Sequence, residues 1–317
     1  MGKQFIKATY VIVVLFICCA ITLSAKDRTY KNIDMLASMK QGDKAVVVMV
    51  YFGTTHSDTR ELTINALNKK VAKELAPLEI REAWTSRIVI KKMFERTGEK
   101  ILNPAQMLEQ LKGEGYTHVL LQPANIIEGI EMEAIREEVD GFINKFKDLR
   151  VGDPLLYSVD DVKKVASIIG KEYCKESKEY ASKGSAVVFV GHGTYTPTTA
   201  TYSMLEYILH SQRYSNGFLG TVEGHPSIED VVERVKNYNT KEVTLVPFMF
   251  VSGEHAKNDI SSEWKELFEA NGYKVNVINK GLGELNAIQD IFIDHAIFAL
   301  KNKPVSILEK KAKYAGK

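Results

Sequence analysis

Cysteine is scarce: three occur in 317 residues, and Cys18 and Cys19 fall within the first 25. Without that segment a single thiol, Cys174, remains, which excludes an internal disulfide and leaves the fold to its apolar core. Cys174 itself sits in the helical pattern VKKVASIIGKEYC and reads as packing. Excess charge of one sign is also missing, with 42 Lys and Arg against 40 Asp and Glu, net +2. That balance excludes a strongly basic nucleic-acid surface. Lys3 and Lys7 supply the whole surplus, because residues 1–25 contain no acid. Prolines are few, eight in all, and no low-complexity tract interrupts a composition that is 45% apolar.

The first apolar run, ATYVIVVLFICCAITL, has 16 residues, short of the roughly 20 a spanning helix needs. MGKQFIK precedes it, and Ser24 and Ala25 follow before the charged Lys26. A positive start, a short apolar centre and small residues at the end predict a signal peptide over 1–25 and a periplasmic protein. An uncleaved inner-membrane anchor is the alternative. Neither Cys18 nor Cys19 follows a small residue, which argues against a lipoprotein.

Apolar strand patterns then alternate with amphipathic helical ones. KAVVVMVYFG, EIREAWTS and THVLLQPANII are strands in the first half, with helices in TRELTINALNKKVAKEL, in 88–112 and in EMEAIREEVDGFINKF. SAVVFVGHG, NGFLGTVEG, EVTLVPFMFVSG and YKVNVINKG repeat the scheme, and a last helix runs from Asn286 to about Asn302. This alternation predicts an α/β fold of parallel sheets flanked by helices. VVVMVYFGTT superposes on VVFVGHGTY, setting Gly53 on Gly193 and Thr54 on Thr194; THVLLQPANIIEGIE superposes on KEVTLVPFMFVSGEH, setting Pro123 on Pro247 and Gly129 on Gly253. Two similar domains follow, 27–153 and 154–317.

The halves differ where chemistry is expected. His192 falls opposite Phe52, and His255 opposite Glu131. Ligands of open parallel sheets bind beyond the carboxyl ends of strands, so both histidines are expected to face one cleft. GHGT, TVEGHP and SGEHAKND supply His192, Glu223, His225, Glu254, His255 and Asp259 at three such ends. Imidazoles and a carboxylate with open positions suit a borderline divalent metal ion such as Co, Ni, Fe or Zn. Of the other histidines, His118 and His210 read as structural, His295 as a satisfied buried residue, and His56 as a substrate contact from the first half.

SAVVFVGHGTYTPTTATYSMLEYI, LGTVEGHPSIEDVV and VTLVPFMFVSGEHAKNDISSEWK, with VYFGTTHSDTRELTINAL and GYTHVLLQPANIIEG earlier, resemble the anaerobic cobaltochelatases that insert Co2+ into sirohydrochlorin. The resemblance covers nearly all of 42–296 and implies an ATP-independent class II chelatase, two similar α/β domains around the active-site cleft, and a homo-oligomer. It implies His192, Glu223 and His255 as metal ligands, with His192 and His255 catalytic in metal delivery and proton removal. Phe52, Gly53, Thr54, His56, Gly193 and Thr194 would line the substrate site. Trp84 is a candidate to stack on the macrocycle or a core residue; Arg87 is a carboxylate contact or part of a solvated helix face. Asp259 is a candidate to orient a ligand imidazole, and Asn125 stands where family members often carry histidine. Imidazole and carboxylate also accept Fe2+ or Ni2+. An exported metal or haem carrier without turnover is the rival outside catalysis, and a solute-binding protein is a more distant one.

Overall fold

The computed structural model describes residues 30–174, 184–253 and 256–316. After β1 (Tyr30–Asn32) come β2 (Ala45–Tyr51), β3 (Glu79–Trp84), β4 (His118–Pro123) and β5 (Asp148–Val151). The last four form a parallel sheet in the order β3-β2-β4-β5. The second half supplies β6 (Ala186–Gly193), β7 (Gly217–Glu223), β8 (Glu242–Pro247) and β9 (Lys274–Val277), paired in parallel as β7-β6-β8-β9. β10 (Asn302–Pro304) leaves this frame and pairs antiparallel with β1. Among the described residues no helix is long and apolar enough to cross a membrane.

Each central strand is apolar on both faces, as a parallel strand covered on both sides must be. Successive side chains alternate between the faces. Val47, Met49 and Tyr51 of β2 therefore enter an inner core, while Val46, Val48 and Val50 meet the outer helices. β6 divides the same way, Val187 and Phe189 inward, Val188 and Val190 outward. The inner core is shared by both sheets and runs through ring contacts from Tyr51 to Phe250 (5.5 Å) and from Phe250 to Phe292 (5.6 Å). Full burial of each such ring contributes about 1.5–3 kcal/mol.

The two halves match down to their turns. Gly53 and Gly193 both take positive φ, 99° and 86°. The Thr54 hydroxyl accepts from the backbone N–H of His56 at 3.2 Å, and the Thr194 hydroxyl from that of Thr196 at 3.4 Å. Ala124 N–H donates to Val50, and Phe248 N–H to Val190.

Three features differ from the sequence expectation. The region 88–112 is two helices, not one: Arg87–Thr97 stops at Gly98 with φ 73°, and Pro104–Gly113 restarts on a reciprocal cap between Asn103 and Gln106. DLRV forms β5, a strand whose polar residues hid it, because Asp148 and Arg150 are buried as an ion pair. Arg150 also donates to the Ala299 and Leu300 carbonyls, at 2.8 and 3.0 Å, which closes the C-terminus of the helix Asn286–Lys301. That helix packs on β4 and β5 of the first sheet. The chain therefore does not divide between the sheets at a single point, since the last long helix returns to the first half.

Candidate active site

A crevice opens in a parallel sheet where neighbouring connections depart to opposite sides, beyond the strands' carboxyl ends. That point lies between β2 and β4 in one sheet and between β6 and β8 in the other. Both points open on one cleft of about 220 Å3. Phe52, Gly53 and Thr54 reach it from the end of β2, Asn125 from beyond β4, His192, Gly193 and Thr194 from β6, and Met249 and Gly253 from beyond β8.

His192 is half-buried in this wall, its Nδ1 3.4 Å from the Gly193 carbonyl oxygen. The turn behind it is held by Tyr202, whose hydroxyl accepts from Gly193 N–H at 3.3 Å. Burial pushes the Tyr202 phenol up to about 12, so it stays protonated in the cleft wall. Glu223, exposed, ends β7 in register with Gly193, the residue after His192, and is not part of the cleft lining. His255 and Glu254 lie outside the described residues, as do the side chains of Lys257 and Asp259. Among the described residues no three metal-binding side chains converge. His225 is engaged elsewhere, its Nδ1 3.0 Å from Asp230 at the start of the helix Ile228–Asn237.

The first half contributes a different surface. Phe52, 42% exposed, presents its ring at the cleft where the second half has His192. His56 begins the helical run 57–74 outside the cleft lining. Trp84 does not stack on a bound ligand: it is fully buried, and its Nε1 donates to Glu82 at 2.7 Å. Arg60 lies over its ring at 4.8 Å. A Cβ on Gly53 would fall 2.4 Å from that ring, so Trp84 is the floor under the Gly53 turn. Arg87 is turned away too, bound to Glu138 at 2.5 Å and absent from the lining. Among the described residues the cation that lines the cleft is Lys92, five residues further along the same helix, and the acid is Glu131. Lys92 and Tyr202 carry no sequence signal that separates them from other helix residues. The remaining histidines are structural: His118 is buried beside Thr117, His210 bonds the Gly217 carbonyl, and His295 lies between Asp153 and Asp161.

A sequence profile of the cobalt chelatase (CbiK) family matches residues 44–301. The chain belongs to the cobalt chelatase family. Within that family, a sirohydrochlorin cobaltochelatase of Salmonella typhimurium is 32% identical over 81% of this chain and 97% of its own length. The sirohydrochlorin cobaltochelatase CbiKC of Nitratidesulfovibrio vulgaris is 26% identical over 81% of this chain and 91% of its own. Among solved structures, SirB from Bacillus subtilis with Fe3+ superposes with TM-score 0.58 at 14% identity, over 81% of this chain and 96% of that one. At that identity the likeness speaks for the fold. This cobalt chelatase thus has the two-sheet frame of the chelatases, with its cleft at the paired switch points.

Proposed function

We propose that the protein inserts Co2+ into sirohydrochlorin without ATP, in the cleft between the two sheets. The observation that carries the reading is His192 at the carboxyl end of β6, opening into a cleft built from both switch points. Family membership and the two curated cobaltochelatase relatives support it. In the proposed site His192, Glu223 and His255 receive the metal ion. Support for His255 comes from the internal repeat: its counterpart Glu131 lines the cleft, as do the paired glycines Gly129 and Gly253. Co2+ enters the macrocycle as two pyrrole N–H protons leave, so an acceptor is required at the site. A neutral imidazole accepts a proton or binds a metal ion, and His192 and His255 are given these tasks. Phe52, Met249 and Phe250 form an apolar wall that excludes water from the macrocycle's face. Export to the periplasm through residues 1–25 belongs to the same proposal; it is supported by the charge and length of that segment.

The test is anaerobic metallation of sirohydrochlorin followed by absorbance, with Co2+ and then with Fe2+ or Ni2+. Turnover with Co2+ well above the uncatalysed rate is expected. Tight binding of metal or tetrapyrrole with no such turnover would make the protein a carrier.

Sirohydrochlorin is rich in carboxylates, and Lys92 is the cation positioned to meet one. Lys92→Glu is expected to raise KM for sirohydrochlorin about tenfold with little change in kcat, an effect that shrinks at high salt. Arg87→Ala should leave KM within about twofold, since its partner is Glu138 and exposed pairs contribute little. The opposite ranking in the same assay would move the carboxylate contact to Arg87.

A further inference from the structure

Both ends of the chain fall outside the region matched by the family profile, and these ends meet. β1 pairs with β10, Tyr30 opposite Pro304 and Asn32 opposite Asn302, and Lys31 forms an ion pair with Glu309. Tyr30 also packs edge-on against Phe298, ring centres 4.8 Å apart. The strand that follows residues 1–29, with their apolar run, is thus fixed beside the helix Ile307–Tyr314. That helix turns its apolar side chains outward: Ile307, Leu308 and Tyr314 are 63%, 75% and 69% exposed. Lys311 shares their face, one turn from Ile307 and from Tyr314. Residues 301–317 hold six lysines against one acid, Glu309, and Lys31 already answers that acid.

Exposed apolar groups interleaved with lysines on one helix face match a helix lying in a bilayer surface, its apolar groups at the acyl boundary and its ammonium groups among anionic headgroups. That β1, the strand immediately following the segment with the apolar run, is fixed beside this helix favours a lipid surface over a protein partner. We propose that the β1–β10 ribbon and the helix Ile307–Tyr314 form a membrane-facing patch that lays the protein on anionic lipid. Ile307, Leu308 and Tyr314 enter the bilayer interface, with Lys310 and Lys311 at the headgroups. The inference does not depend on the reaction in the cleft.

The full chain carrying Leu308→Trp is reconstituted in phosphatidylcholine vesicles, with and without phosphatidylglycerol, using brominated acyl chains as quencher. Trp84 and Trp264 are 0% and 2% exposed, so the unsubstituted chain serves as the blank. In anionic vesicles the added indole is expected to lose about half its fluorescence to the bromine. Lys310→Glu with Lys311→Glu, or high salt, should remove most of that quenching. An unchanged unfolding temperature confirms that the substitutions, at exposed Leu308 and Lys311 and half-buried Lys310, leave the fold intact. Absence of quenching in anionic vesicles, or equal quenching with and without phosphatidylglycerol, overturns the proposal, whatever residues 1–29 do.

Discussion

Replacing His192 by alanine is expected to lower the rate of Co2+ insertion to on the order of a thousandth while leaving the unfolding temperature almost unchanged. The two readouts separate because of where the residue stands. His192 ends β6 on the cleft side, half-buried, and the inner core begins three residues earlier at Phe189. In the proposed mechanism, losing the imidazole removes a metal position and a proton acceptor, and it opens no hole among packed side chains. Glutamine at 192 keeps some bulk but supplies no comparable base and should be nearly as inactive. Initial rates of anaerobic metallation, with Co2+ binding by calorimetry, decide it. A variant with full rate and full Co2+ affinity would take His192 out of the chemistry and leave it a strand-end residue.

Gly193→Ala should damage the same place by a different route, through the backbone. Gly193 has φ 86°, and a Cβ built on it lies 1.7 Å from the Glu223 carbonyl oxygen. No rotamer relieves that overlap, because the colliding atom belongs to the neighbouring strand. β6 and β7 must part at the Gly193–Glu223 pair, one residue from His192. Left-handed φ for alanine and forced strand separation together cost roughly 3–5 kcal/mol. For a chain of this size that is a fall in Tm of roughly 5–10 °C, with metallation lost well below the new Tm. Thermal unfolding followed by circular dichroism, beside the metallation assay, checks both. A stable and active Gly193→Ala protein would refute the close approach of β6 and β7. Gly53→Ala is the informative comparison, since its Cβ meets the Trp84 side chain, which can shift.

The sequence was most legible where burial is two-sided. β2 and β6 read as uninterrupted apolar runs because both their faces are covered, and the repeat stood out because Gly53 and Gly193 perform the same turn. β5 was hidden because its Asp148 and Arg150 are buried as a pair, and a charged residue in sequence gives no sign of its partner. Arg87 and Lys92 looked alike for the same reason: only the position of Glu138 decides which of them is occupied. Trp84 illustrates a third limit. An aromatic at a strand end fits a ligand platform or a support under a turn equally well, and the difference lies in Gly53, 31 positions away. His192 was legible because flanking glycines, a preceding apolar run and a mismatch with Phe52 in the repeat all pointed to it. His255 rests on the repeat and the family pattern alone.

The return of the helix Asn286–Lys301 to the first sheet bears on how the protein can move. A clamshell needs two lobes joined by a few bendable residues, and here the chain crosses back so that its last long helix is bolted to the first lobe by a buried guanidinium. Swinging the lobes apart would part the packed rings of Tyr51, Phe250 and Phe292 as well as bend a linker, so the same rings that make the core also oppose a wide-opening jaw.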